Sequence, residues 1–252
     1  MRFSIKHATL GSERVGTLTG FTKSPATVIE TPTAALFTQS YGGSVLHLTA
    51  EVLAKVFSTP QLLWVPVSNS LQLEPGMKAQ GEGVAKFVGL PQHLTCVSAH
   101  NMNEVTPSGH FELEKVPLWT KNGKKMVNAD RYMDLMEVYK PEIILAIADG
   151  RTALNEGYKR IMKSLDRSCN MLDTCVYRYK ASKQFRYSAL IGVIVATGMP
   201  KRCNESIEHI LKYKDDLTGV ALAGLTDGTD EANYLALARI ESILKTVSVS
   251  IS

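Results

Sequence analysis

Four apolar segments of the chain run into residues able to do chemistry, each at a turn. The first reaches Ser98-Ala99-His100-Asn101, the second Asp149-Gly150, the third Thr197-Gly198 and the fourth Thr226-Asp227-Gly228. Reactive groups gather just beyond strand C-termini in parallel α/β folds, so these are the positions to read first. His100 titrates near neutrality and could serve as a base, although a single histidine at a strand end is equally a structural one. Asp149 could hold an amine or an amidine, but Asp-Gly is also ordinary turn chemistry, and Asp227 stands in the same kind of turn. No nucleophile, base and orienting group can be assembled from these residues. The spacing H-E-x-x-H is absent, and the four cysteines (Cys96, Cys169, Cys175, Cys203) form no C-x-x-C pair, so no metal site is read from the sequence. Gly42-Gly43 and Gly81-Glu82-Gly83 could cradle a phosphate or simply turn the chain. No G-x-G-x-x-G or P-loop follows a strand, so a dinucleotide or nucleoside triphosphate has little support.

The elements that must carry these residues alternate. Ile143 to Ala148, Ala189 to Ala196 and Gly219 to Gly224 are continuous apolar runs, the pattern of strands buried on both faces. Each precedes a segment of helical periodicity. These are Leu154, Tyr158, Ile161, Met162 and Leu165, then Ile207, Ile210 and Leu211 behind an Asn204 cap, then Ala236 to Val247 behind Asp230. Upstream, Ala34 to Thr38, Leu62 to Val67 and Leu94 to Ser98 read as further strands. Thr49 and Asn128 read as caps of two more helices. Phe3 to Thr9 and Val15 to Thr19 flank a Gly-Ser-Glu-Arg turn and read as a hairpin. Repeated βα units imply a parallel sheet. About six strands are counted before Ser252, so the expected architecture is α/β, an incomplete (β/α)8 TIM-type barrel with an N-terminal β lead-in. Residues 1–30 are expected to form that lead-in and residues 31–252 a partial barrel.

Composition narrows the class. The chain has 252 residues, 44% of them apolar, enough for a sizeable core. The longest apolar runs fall far short of the ~20 residues of a helical membrane span, and the N-terminus lacks a signal-peptide pattern. Net charge is +4, but it is unevenly placed. Lys159, Arg160, Lys163, Arg167, Arg178, Lys180, Lys183 and Arg186 lie between Tyr158 and Tyr187 with only Asp166 and Asp173 against them. Tyr158, Tyr177, Tyr179 and Tyr187 are interleaved. Such a stretch can neutralise phosphates while its aromatics stack on bases, or it can be the solvated face of a helix.

Four of these segments, in order, resemble the tRNA-guanine transglycosylases. Leu94-Thr95-Cys96-Val97-Ser98-Ala99-His100-Asn101 resembles the family strand ending in Asp-Ser-Gly-Gly-Phe-Gln. Ile144-Leu145-Ala146-Ile147-Ala148-Asp149 resembles the strand ending in a substrate-recognising Asp. Leu190 to Gly198 is similar to the strand ending in Gln-Gly-Gly, and Gly219 to Gly228 to the strand with Gly-Gly-Leu-Ser-Val-Gly. The resemblance implies base exchange at the wobble position of tRNA, and substrate contacts at Asp149, Gly198 and Gly224. The departures matter as much. The segment Val97 to Asn101 has no aspartate where catalytic members carry one, and Ala196-Thr197-Gly198 lacks the amide of Gln-Gly-Gly. No residue matches the nucleophilic Asp or the zinc-binding C-x-C-x-x-C…His segment. This pattern is similar to an accessory branch of the family, also through Gly83 to Pro91 and Ser164 to Ser168. That branch implies a heterodimer with a catalytic queuine tRNA-ribosyltransferase subunit and tRNA as a partner; independently, the basic stretch offers Lys159, Arg160, Lys163 and Arg167 as RNA contacts. The accessory branch further implies zinc in full-length members with none in these 252 residues, and a cytoplasmic place with peripheral contact to the mitochondrial outer membrane. A small-metabolite enzyme using His100 and Asp149, or an inactive short form, are the alternatives.

Overall fold

Parallel strands form the centre of the computed structural model, which describes residues 1–8, 14–38, 45–101, 111–150, 156–225 and 230–251. Six of them, β4 (Leu36–Phe37), β5 (Leu62–Pro66), β6 (Leu94–Ser98), β9 (Ile143–Leu145), β10 (Ala189–Ile194) and β11 (Gly219–Leu222), form one all-parallel sheet. Their order across the sheet is β4-β5-β6-β9-β10-β11, so it follows the chain without a reversal. A doubly wound sheet would turn back at a switch point. This sheet winds one way.

The continuous apolar runs are explained by what covers each face. Leu63, Val65, Val97, Ile144, Leu190 and Ile194 point to the helices. Leu94, Cys96, Ile143 and Ile191 point the other way and meet Phe21 and Ile29 of the lead-in. That lead-in is the expected hairpin, β1 (Arg2–Ala8) with β2 (Arg14–Thr19), extended to three antiparallel strands by β3 (Ile29–Thr31). Lys23 fastens it to the sheet through the Glu142 carboxylate at 3.0 Å.

Helix starts follow local chemistry. Thr49 caps α1 (Ala50–Val56) by accepting from the Val52 amide, and Asn128 caps α5 (Ala129–Tyr139) by accepting from that of Arg131. The 24-residue α6 (Tyr158–Ala181) begins after Gly157, and α8 (Asp230–Ile251) begins at the expected Asp230. The Asn204 cap is not formed. Helix α7 (Pro200–Leu211) starts earlier, with Pro200 in its first turn, where a fixed φ is preorganised and the missing N–H costs nothing. Three short helices, α2 (Val67–Ser70), α3 (Glu74–Gln80) and α4 (Val84–Phe87), fill the β5–β6 connection. An antiparallel hairpin, β7 (Val116–Thr120) and β8 (Gly123–Val127), is inserted between β6 and β9; the sequence reading placed none of these.

Gly81-Glu82-Gly83 is a helix junction. Gly81 closes α3 in the left-handed conformation, and Gly83 opens α4 at φ +90°, where a Cβ would sit 2.8 Å from the Tyr139 carbonyl. The left-handed cap accounts for Gly81, and close approach to α5 accounts for Gly83, without a phosphate. Gly42-Gly43 and Thr226 to Gly228 lie outside the described residues.

Candidate functional site

The ends of β6, β9, β10 and β11 lie along one edge of the sheet, and there the structure brings the sequence candidates together. Asp149, four residues beyond β9, is completely buried. Its carboxylate accepts two hydrogen bonds from Arg160, Nη1 to Oδ2 at 2.6 Å and Nη2 to Oδ1 at 2.5 Å. Arg167 donates a third to Oδ2 and uses its Nε to reach the Glu112 carbonyl at 2.6 Å. Phe111 lies against both guanidinium groups, 4.4 Å from that of Arg160 and 5.3 Å from that of Arg167. The Asp149 backbone is also held, its amide by Ser168 Oγ and its carbonyl by Ser164 Oγ. Helix α6 supplies all four partners from one face, since residues 160, 164, 167 and 168 recur at helical spacing.

The neighbouring strand ends are similarly engaged with one another. Thr197 donates to the carbonyls of Ala223 and Gly224, at 3.1 and 2.7 Å. Gly150 has Ala223 so close that an added Cβ would lie 2.8 Å from its methyl. Asp149, Gly198 and Gly224, the three expected substrate contacts, thus stand on adjacent strand ends. Ser98 accepts from the Trp64 indole at 2.9 Å and donates to the His100 carbonyl at 2.8 Å. His100 faces the Pro117 carbonyl through Nε2 at 3.1 Å. A carbonyl only accepts, so Nε2 carries the proton. Among the described residues no hydrogen bond joins His100 to Asp149, and no carboxylate stands in the segment 97–101.

Burial holds His100 below the ordinary imidazole range; the Pro117 hydrogen bond and the Asp149 charge oppose that shift without cancelling it. His93 is lowered by burial too, with Nδ1 accepting from the Gln61 amide at 3.0 Å. Both histidines bind protons more weakly folded than unfolded. As pH falls through about 6.5 the unfolded chain takes up protons first, so stability is full above that value and declines below it. Urea midpoints should therefore drop between pH 7.5 and 5.5, and His93→Gln with His100→Gln should flatten the slope. Equal slopes in wild type and double variant would contradict this account.

The basic stretch is divided by the fold. Arg160 and Arg167, expected on an RNA-facing surface, are turned inward onto Asp149. Arg178 pairs with Asp130 and Asp134, and Lys180 with Asp216. Lys159 and Lys163 are exposed on the outer face of α6, with Asp166 exposed beside them. Lys183 and Arg186 lie past the last helical residue, Ala181, which is roughly 33 Å along the axis from Lys159. Tyr158 accepts from Arg202 at 2.6 Å, and Tyr179 stacks on Phe185. Tyr177 is the most exposed tyrosine of the stretch, at 72%. The helical periodicity of 160, 164, 167 and 168 was the available signal that two of these arginines face inward.

All four thiols are disfavoured as thiolates. Burial pushes Cys96 and Cys175 up to about 12 and Cys169 and Cys203 to about 11. Among the described residues no group of three or more His, Cys, Asp or Glu could hold a metal ion. The described residues therefore do not fit a zinc site. No helix of the described residues is long and apolar enough to cross a membrane.

Comparison with known proteins places this arrangement. A sequence family described as "Queuine tRNA-ribosyltransferase" matches residues 10–248. Queuine tRNA-ribosyltransferase accessory subunit 2 of Aedes aegypti is 30% identical over 225 residues, 89% of this chain and 53% of that protein. The protein of the same name from Culex quinquefasciatus is 27% identical over 98% of this chain and 58% of its own length. That of Gallus gallus is 31% identical over 72% of this chain and 42% of its own. The chain spans about half the length of the curated relatives it matches.

Proposed function

Because the chain belongs to the queuine tRNA-ribosyltransferase family, we propose that it is a non-catalytic subunit of a heterodimeric tRNA-guanine transglycosylase. In this role it supports tRNA binding and a catalytic partner that exchanges guanine for queuine at the wobble position. The observation that carries the reading is the end of β6. Catalytic members of the family carry an acid/base aspartate at the strand end that this segment resembles, and base exchange needs such a group to move protons. The segment 97–101 offers Ser98 and His100, both engaged with neighbouring backbone carbonyls, and no carboxylate. The relatives named as accessory subunits agree with this. The one-way winding of the sheet supports a (β/α)-barrel as the parent architecture, because barrels add strands in chain order. Zinc, if this subunit uses it, is to be sought outside the described residues, and its place in the cytoplasm or against the mitochondrial outer membrane follows from the resemblance alone.

A base-exchange assay tests the reading. Labelled guanine should enter tRNA only when the catalytic subunit is added to this chain. Exchange by this chain alone, above a control lacking protein, would overturn it. In this reading the RNA contact of α6 rests on Lys159 and Lys163, which reach solvent. Lys159→Glu with Lys163→Glu should weaken tRNA binding by the heterodimer and make the slope of log affinity against log salt shallower by about 1 to 2. An unchanged slope would leave those lysines as a solvated face.

A further inference from the structure

Two arginines on one buried carboxylate are one more than charge balance requires. Arg167 alone neutralises Asp149: it is 7% exposed, accompanied by its own bond to the Glu112 carbonyl, and fixed on α6. Arg160 is different. Its side chain is 24% exposed, and it meets the carboxylate with a two-pronged edge, one N–H to each oxygen. Its face rests on Phe111 at 4.4 Å. A planar group gripped by a carboxylate along one edge and an aromatic ring on one face is held as a ligand is held. Here the planar group belongs to the chain. Among the described residues the cluster carries one positive charge more than its carboxylate balances, at a site largely out of water, where an unbalanced charge is costly.

We propose that Arg160 is a built-in occupant of the Asp149 site. Its guanidinium takes up the paired acceptor edge and the aromatic plate that a ligand with two adjacent N–H donors would need, so the site is held closed from within. Arg167 is the permanent counter-ion; Arg160 is the plug. This rests on the reading of Asp149 as the family's recognition position. It adds to that reading the reason the carboxylate is withheld. With Arg160 withdrawn, Asp149 and Arg167 form an electroneutral pair with one carboxylate oxygen freed and Phe111 uncovered.

Chemical rescue tests it with guanidinium ion as the probe, read as stability and not as base exchange. Its outcome is therefore independent of whether the chain turns out to be catalytic. Arg160→Ala should show a Tm that rises saturably with guanidinium chloride in the millimolar range, while sodium chloride at equal concentration and urea have no such effect. Wild type, already plugged, should show no rise, and Asp149→Asn with Arg160→Ala should lose the rescue. A folded Arg160→Ala that does not respond, or a wild type that responds as strongly, would overturn the proposal. A second measurement on the wild type covers the case in which the variant does not fold. Side-chain nitrogen NMR should show the Arg160 guanidinium protons protected from solvent exchange, and exchange as fast as that of exposed Arg2 would equally overturn it.

Discussion

Asp149→Ala is expected to lower the unfolding free energy by roughly 3–5 kcal/mol, the range for breaking a buried ion pair by removing one partner. The carboxylate accepts from Arg160 and Arg167 and is itself fully buried. Its loss strands the Arg167 guanidinium, 7% exposed, with a surplus charge, leaving it among the described residues the Glu112 carbonyl and the face of Phe111. Arg178→Ala serves as the contrast. Arg178 also holds two carboxylates, Asp130 and Asp134, but these stand 60% and 50% exposed, and such a pair is worth at most about 1 kcal/mol. Removing all three charged groups together, with Arg167→Met to keep volume, should recover much of what Asp149→Ala loses. Urea unfolding of the four proteins decides the matter. A cost near that of Arg178→Ala would mean the cluster contributes little.

Glu142→Ala is the second large effect, at the opposite end of the same strand. Glu142 stands immediately before β9 and is 7% exposed. It accepts from the Thr95 amide at 2.6 Å, from the Thr95 hydroxyl at 2.8 Å and from Lys23 at 3.0 Å. Thr95 is 1% exposed, so truncation leaves a buried amide without its acceptor. The expected loss is roughly 2–4 kcal/mol, several times that of Lys23→Ala, whose side chain is 31% exposed. A double-mutant cycle between the two should show coupling. If the single costs simply add, Lys23 does not anchor the lead-in to the sheet through this carboxylate.

The parallel strands were legible because a strand covered on both faces must be apolar throughout, and Ala189 to Ala196 leaves little else to be. The inserted hairpin was not. Pro117 interrupts the ladder pattern of β7 and Lys124-Lys125 makes β8 polar, so alternation is lost although Asn122-Gly123 marks the turn. At the site, Asp149 could be found from its place at a strand end. Its partners were hidden by composition, since two inward arginines looked like members of a basic surface. Counting along α6 would have separated them, because Arg160 and Arg167 share a face with the buried Ser164 and Ser168, whereas Lys159 and Lys163 share one with the exposed Asp166. The Lys23–Glu142 contact had no sequence signal, as its partners are 119 residues apart.

The one-way strand order has a kinetic consequence. In the sequence β4-β5-β6-β9-β10-β11 each strand pairs with the one made just before it. Every pairing closes a loop of a few tens of residues, and loop-closure entropy grows only slowly with such lengths. During synthesis the growing edge always offers the next strand a template already in place, so assembly can proceed from the N-terminus without waiting for distant segments. Only the β6–β9 pairing must span an inserted hairpin. That step, which also sets Glu142 against Thr95, and the β9–β10 step across α6 are the two longest gaps a nascent chain has to close.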